Sequence, residues 1–340
     1  MGTYLTPIIP RRTIGLSEVA YKTLAVDALN SIYQFLALVR TPKAEPLKGR
    51  NGRITSHLVG LAFRYSRLAL ENACSFIFVF DGPPLPLKLK ELEKRRMVRE
   101  KAEKEFHELL SREEFEKAFS KAVVAVSVDD WIIESSKKLL RLMGWPIVDA
   151  PHDAEAQAAY IASRGEAWAT ATLDWDAILY GSPRLLRYLT ITGTEWLPSK
   201  GQARKLEPEL VELEITLKSL GITRKQLVEI AILVGTDYNE GVRGIGPKRA
   251  LKLVKRYGGI DGLPRSIREK IPNYAEIIEI FMNPAVRENY TIEYGEPAYD
   301  ELEHFLVDEN NFSEERVKLL LDRLTLLWKK RKQVSLDSFR

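Results

Sequence analysis

Four apolar runs in this chain each end on an aspartate: TLAVD at Thr23 to Asp27, FIFVFD at Phe76 to Asp81, AWATATLDWD reaching Asp174 and Asp176, and IAILVGTD at Ile230 to Asp237. One acid after one buried segment is ordinary, because Asp satisfies nearby turn amides and tolerates unusual dihedrals. Acids delivered repeatedly by the ends of core elements demand more: a rigid frame aiming carboxylates at a common place. The first three runs are rich in Val, Ile, Phe and Thr and too continuous for half-exposed strands, so they read as strands covered on both faces. In open parallel α/β sheets ligands gather outside the carboxyl ends of the strands, which is where Asp27, Asp81 and the Asp174/Asp176 pair would lie. The spacing Asp174-Trp175-Asp176 predicts an extended segment with both carboxylates on one side. Two acids on one side repel unless a cation sits between them.

The fourth run differs. Thr223 followed three residues later by Gln226 is a capping-box signature, so Thr223 to Val234 reads as a helix stopped by Gly235, and Asp237 enters from the loop beyond it. A further pair of acids, Asp153 and Glu155, stands in an Ala-rich segment that predicts a helix starting near Pro151 to Asp153. The helix macrodipole alone favours acids in a first turn, so a purely local role competes with a ligand role there. The inventory decides between them: oxygen ligands with no convincing His or Cys set point to a hard divalent cation rather than zinc.

Formal charge is 51 basic residues against 47 acidic, or +4, too mild to demand a nucleic-acid partner by itself. If the acids pool at one site, the basic residues must concentrate elsewhere. Lys88 to Lys121 is where they do, with Lys88, Lys90, Lys94, Arg95, Arg96, Arg99, Lys101 and Lys104 in its first half. Its interleaved Glu and Lys predict a helical excursion standing off the core, with a solvated ion-paired face as the plain alternative. Trp131 to Met143 predicts a second helix and Ile147 to Asp149 a short strand; from about Leu217 the chain reads as helical, and Lys329 to Arg340 as a basic, poorly packed tail. Cys74 is the only cysteine, which rules out an internal disulfide, and no segment approaches the length of a membrane span; the expectation is a soluble intracellular protein.

Gly241-Val242-Arg243-Gly244-Ile245-Gly246-Pro247-Lys248-Arg249 is a second signal. Two glycines around an apolar residue, then Pro at a helix start and Lys-Arg, make a hairpin whose backbone N–H groups can hold a phosphate without touching a base. An ordinary interhelix turn would need much less specification.

Together with Ala25-Val26-Asp27-Ala28, Ser31 to Leu36, Thr55-Ser56-His57-Leu58, Val79-Phe80-Asp81-Gly82, Asp149-Ala150-Pro151, Asp174-Trp175-Asp176 and Gly235-Thr236-Asp237-Tyr238, this hairpin makes the chain resemble the flap endonucleases of the 5′ nuclease superfamily, in order and over nearly its whole length. The compact tail looks archaeal. The resemblance implies an α/β fold: a PIN-like, mostly parallel central sheet flanked by helices, with a helical arch and a C-terminal helix-two-turn-helix DNA-binding region. It divides the chain into a nuclease region at 1–105 that includes the start of the arch, an internal nuclease region at 106–216, a helical DNA-binding region at 217–328 and a tail at 329–340.

The implied activity is cleavage of 5′ flaps at single-strand/duplex junctions in DNA replication and repair, with a 5′ exonuclease activity besides. Carried over by position, Asp27, Asp81, Asp153, Glu155, Asp174, Asp176 and Asp237 would hold two Mg²⁺ ions, with Mn²⁺ as a substitute, following the two-metal logic of phosphodiester hydrolysis. Lys88 and Arg95 match catalytic basic residues at the arch base, and Tyr33 a base-stacking aromatic. Arg40, Arg64 and Arg187 match substrate contacts. Gly244, Gly246, Lys248 and Arg249 match the duplex-gripping motif, with K⁺ at the carbonyls near Gly241, Val242 and Ile245. The resemblance also implies a cytoplasmic monomer acting on branched DNA, with no membrane partner.

Four departures stand out. Asp153 occupies a place where the family usually has Glu, one methylene longer, so a weaker or water-mediated metal contact is expected there. Pro83 replaces a common Lys, and the residues after Gly2 are unusual. Gln333, Leu336 and Phe339 resemble a sliding-clamp-binding box, but Arg340 stands where a second aromatic belongs, so clamp binding is expected to be weak. Two other readings compete: an Asp-x-Asp phosphatase built on Asp174 and Asp176, and a junction-binding paralogue with a damaged metal site.

Overall fold

The computed structural model describes residues 3–43, 45–112, 114–190, 193–197 and 202–337, apart from the side chains of 115–116, 193–197, 202–205 and 334–337. Among the described residues there are nine strands: β1 (Arg12–Thr13), β2 (Thr23–Asp27), β3 (Ser75–Phe80), β4 (Ile147–Asp149), β5 (Ala169–Ala171), β6 (Arg184–Arg187), β7 (Gly193–Leu197), β8 (Gln202–Leu206) and β9 (Glu209–Glu212). Seven form one sheet in the order β1-β9-β6-β5-β2-β3-β4, and β7 and β8 pair separately as a hairpin. The run from β6 to β4 is parallel, while β9 joins β6 and β1 joins β9 antiparallel.

From β2 the chain crosses to β3 on one side and later to β5 on the other, with Asp27 opposite Val79 and Val26 opposite Ala171. Asp27 therefore ends the strand at which the sheet order reverses, where a crevice opens between diverging connections.

Successive residues of these strands serve opposite faces. Leu24, Val26, Phe76, Phe78 and Phe80 pack beneath the helices Ala28–Leu38, Asp130–Leu142 and Glu314–Asp337. On the other face Ala25, Ile77, Val79 and Val148 meet Ala154, Ala158, Ile161 and Ala162 of the helix Ala154–Ser163. The alanines bring that helix close to the sheet, which carries its first turn to the carboxyl edge. A third apolar cluster joins Leu179 and Tyr180 to the helices Arg224–Val234, Pro247–Tyr257 and Tyr274–Met282.

The basic segment forms two helices, Leu89–Ser111 and Phe115–Val124, clasped by their own small cluster of Phe106, Ala118 and Ala122. The stretch from Ser56 to Asn72 is helical with a π segment at Gly60–Tyr65. The capping box at Thr223 is formed, with Gln226 N–H donating to Thr223 Oγ1 at 3.2 Å and Thr223 N–H to Gln226 Oε1 at 3.0 Å.

The helix Leu89–Ser111 runs through residue 105, and Glu314–Asp337 through residue 328. Lys329 to Asp337 continue that last helix, with Lys329, Lys330, Lys332 and Gln333 exposed. One expectation needs correction. Asp174 and Asp176 do not sit on an extended segment: β5 ends at Ala171, Trp175 has α-helical dihedrals, and Asp176 starts the helix Asp176–Leu179. Among the described residues no helix is long and apolar enough to cross a membrane.

Candidate metal centre and nucleic-acid interface

Each acid reaches the crevice by a different local device. Asp27 ends β2 and also caps the next helix, accepting from Asn30 N–H at 2.9 Å while Thr172 Oγ1 donates to its other oxygen at 3.0 Å. Asp81 follows β3 and accepts from Ala154 N–H at 2.8 Å. That contact decides the role of Asp153. Although it is the N-cap residue of the helix Ala154–Ser163, its side chain makes no capping bond, and its two oxygens turn instead to Lys88, Tyr180 and Tyr238. Asp176 accepts from Thr3 Oγ1 at 2.8 Å, and Asp237 lies in the turn after the helix Arg224–Val234.

Asp81, Asp153 and Glu155 each offer an oxygen within 4.8 Å of the others. All seven acids form one electrostatic neighbourhood. Burial, and then the charge of Asp81, push the Asp27 carboxyl up to about 7. Burial, followed by Asp237 and Asp174, pushes Asp176 up to about 7. Asp81 is raised to about 6 chiefly by burial, although the Ala154 amide and Lys88 pull it down. Burial with Asp27 and Asp81 lifts Glu155 well above its ordinary value. Buried carboxylates that resist ionising beside one another are what a divalent cation relieves, and an all-oxygen donor set suits a hard ion. The residues present fit such an ion.

Lys88 and Arg95 enter this centre from the arch. Lys88 pairs with Asp153 and lies 3.6 Å from Asp237, with its side chain only 16% exposed. Burial works against its charge, but Asp153, Glu155 and Asp237 together outweigh it and raise its pKa. Arg95 pairs with Asp237, and on the same helix Lys90 and Lys94 pair with Glu240. Ion pairs such as Glu91–Arg95 and Arg96–Glu100 do stitch the arch, yet its inner face is turned to the acids.

The remaining candidates divide. Tyr33 is exposed beside the crevice and its hydroxyl accepts from Arg99 at 3.2 Å. Arg64 lines an open groove of about 470 Å³ with Phe35, Leu38, Arg67, Arg316 and Arg323. Arg40 ties two helices together, donating to the carbonyls of Ala37 at 3.1 Å and Ala122 at 3.0 Å. Arg187 is 8% exposed, bonds Glu209 at 3.1 Å and Leu173 O at 3.0 Å, and lies over the Trp175 ring, so it braces the Asp174 loop from inside. In the hairpin Gly244 has φ +81, open space surrounds both Gly244 and Gly246, and Gly246 caps the helix Pro247–Tyr257. Lys248 is exposed in the first turn of that helix, and Arg249 donates to Gly244 O at 3.2 Å. Gln333 lies in the last helix; the side chain of Leu336, and Phe339 with Arg340, fall outside the described residues.

Asn30 was not anticipated. Its Oδ1 accepts from Leu173 N–H at 3.2 Å and its Nδ2 donates to Asp174 at 3.4 Å, so it links Asp27 to the Asp174 loop. Its position three residues after a capping Asp was the available signal.

Gly82 is forced by close approach: a Cβ there would meet Pro151 O at 2.4 Å and Ala150 O at 2.5 Å. Gly82→Ala must part Asp81 from the first turn of the helix Ala154–Ser163. The expected result is a loss of about 1–3 kcal/mol in stability, the usual cost of overpacking, together with slower phosphodiester cleavage. Urea denaturation and a cleavage assay on the same variant check both; an unchanged midpoint would mean that the backbones separate freely.

Comparison with known proteins agrees with this geometry. Residues 5–102 match the XPG N-terminal domain and residues 144–237 the XPG I-region. Flap endonuclease 1 of Pyrococcus abyssi is 46% identical over 340 residues, covering 100% of this chain and 98% of the relative. The protein of the same description from Staphylothermus marinus is 43% identical over 349 residues, with 100% and 99% covered. Among solved structures, flap endonuclease-1 from Methanococcus jannaschii superposes with a TM-score of 0.77 at 37% identity, covering 97% of this chain and 100% of that one. The catalytic core of Rad2 in complex with DNA substrate shares the fold at a TM-score of 0.67 and 24% identity, with 94% and 97% covered. The chain belongs to the flap endonuclease 1 family of XPG-type nucleases.

Proposed function

We propose that this protein cleaves 5′ flaps at the junction between single-stranded and duplex DNA, using two Mg²⁺ ions held by Asp27, Asp81, Asp153, Glu155, Asp174, Asp176 and Asp237. The observation that carries the proposal is the grouping of Asp81, Asp153 and Glu155, electrostatically linked to Asp27, Asp174, Asp176 and Asp237, with Lys88 and Arg95 reaching in from the arch. When bound, the ions would activate water and stabilise the leaving 3′ oxygen. Lys88 and Arg95 supply fixed positive charge beside the reacting phosphate, where negative charge builds up. The exposed ring of Tyr33 offers a stacking face for the base next to the cut. The hairpin at Gly244 and Gly246, with Lys248 and Arg249, grips a phosphate of the duplex through backbone N–H groups and charge. K⁺ would use the carbonyls of Gly241, Val242 and Ile245, of which that of Val242 already accepts from Ile245 N–H at 2.9 Å.

An Asp-x-Asp phosphatase would leave the arch and the hairpin without a task. A double-flap substrate labelled at one end and incubated with Mg²⁺ tests the proposal: one incision within a nucleotide of the junction is expected. Binding without incision would favour the impaired paralogue, and hydrolysis of small phosphate esters the phosphatase.

For the C-terminal box, Gln333, Leu336 and Phe339 support weak binding to a sliding clamp. One missing aromatic anchor typically costs about 2 kcal/mol, so Arg340→Phe should tighten binding by roughly tenfold or more and Phe339→Ala remove it. Calorimetric titration against a clamp decides this; an affinity indifferent to both changes would leave the tail an ordinary basic terminus.

A further inference from the structure

Asp153 is held unlike the other six acids. Its Oδ2 receives Tyr180 OH at 3.0 Å and also Tyr238 OH, and the two hydroxyls lie 2.6 Å apart. Three contacts share two hydroxyl protons. A carboxylate only accepts, so every arrangement of those protons leaves at least one donor on Oδ2. Oδ1 points the other way and meets Lys88.

Both tyrosines are buried, at 8% and 7% exposure, and both rings pack on Phe281, with centroids 4.8 and 5.5 Å away. Phe281 is fully buried in the helix Tyr274–Met282. The two hydroxyls are therefore fixed by packing against the C-terminal helical core, and not by the strands that lead to Asp27 and Asp81. Two buried polar atoms meeting on one oxygen leave that oxygen no freedom to turn.

We propose that Tyr180 and Tyr238 are positioning residues for the metal centre: their hydroxyl pair pins Asp153 Oδ2, so that Asp153 presents a single oxygen, Oδ1, to a divalent cation. The inference rests on the metal-centre reading above. Hydrogen-bond partners of this kind orient a ligand and tune its affinity without touching the ion, and losing one typically lowers metal affinity by about tenfold or more.

The test needs no DNA and no turnover. Mn²⁺ is titrated into the full-length protein and free Mn²⁺ is read by electron paramagnetic resonance, for wild type, Tyr180→Phe, Tyr238→Phe, Asp153→Ala, Asp81→Asn and the double variant Tyr180→Phe/Asp153→Ala. Each tyrosine variant should bind Mn²⁺ about tenfold more weakly at one site. Tyr180→Phe should have no further effect once Asp153 is Ala, because nothing is left to position. If Tyr180→Phe does not fold, Tyr238→Phe, alone and combined with Asp153→Ala, carries the same comparison. Wild-type affinity in the tyrosine variants, or an equal loss in the Asp153→Ala background, overturns the pinning role alone. Unchanged Mn²⁺ binding by Asp81→Asn overturns the metal-centre reading, and the pinning role with it.

Discussion

Asp81→Asn is expected to abolish flap cleavage in Mg²⁺ while leaving junction affinity within about tenfold, because affinity rests mainly on phosphate contacts remote from the acids. Asn retains an oxygen that can accept from Ala154 N–H, so the link at 2.8 Å between the strand end and the helix survives and only the charge is lost. Single-turnover cleavage and fluorescence anisotropy on the same substrate separate the two effects. Cutting at the wild-type rate would remove Asp81 from the metal centre.

The same substitution should stabilise the ion-free protein. The carboxyl of Asp81 is raised from 3.8 to about 6, chiefly by burial. An acid raised on folding costs nothing below its unfolded pKa, and the penalty grows as pH climbs through the folded value. At pH 8 that penalty is on the order of 2–3 kcal/mol. In chelator, wild type should therefore melt lower at pH 8 than at pH 5, and Asp81→Asn should lose less over that interval. A variant that gains stability as it loses activity has had a charge removed from a site built for a cation.

How far the sequence could show this depended on whether a signal was local. The strands β2 and β3 carry unbroken apolar runs, and the capping box at Thr223 is written in neighbouring residues, so all three were legible. The short strands β1, β6 and β9 were not. They owe their pairing to the rest of the sheet, and Arg184–Arg187 has charged ends that look like loop until Glu209 and Glu212 come opposite them. The seven acids were candidates because each stands at the end or the start of a recognisable element, but the grouping of Asp174 with Asp176 was argued from the wrong geometry. Proximity there comes from a helical turn, not from strand alternation. Asp153 illustrates the deepest limit. Seen in the sequence, its short side chain suggested a weakened contact; in the structure Tyr180 and Tyr238, from distant parts of the chain, close on its carboxylate. Arg187, matched to a DNA contact, is instead enclosed beside Glu209 and Trp175.

Lys88→Ala should change two quantities in opposite directions. Its ammonium pairs with Asp153 and lies 3.6 Å from Asp237, so without DNA it sits against the same carboxylates that would take the ions. Removing it leaves those acids more negative, and divalent affinity in the DNA-free protein should rise several-fold, as expected when a competing cation is withdrawn. On DNA the effect is the reverse. A preorganised charge beside the reacting phosphate is typically worth about two or more decades in rate, so single-turnover cleavage should fall by roughly a hundredfold or more at saturating Mg²⁺. Arg95→Ala should follow the same pattern more mildly, because its side chain is 30% exposed against 16% for Lys88 and its field is better screened. A residue that merely held the arch in place would weaken ion binding and cleavage together. An unchanged rate with weakened flap affinity would make Lys88 a binding contact, whereas tighter ions with slower cutting would place its charge at the reacting phosphate.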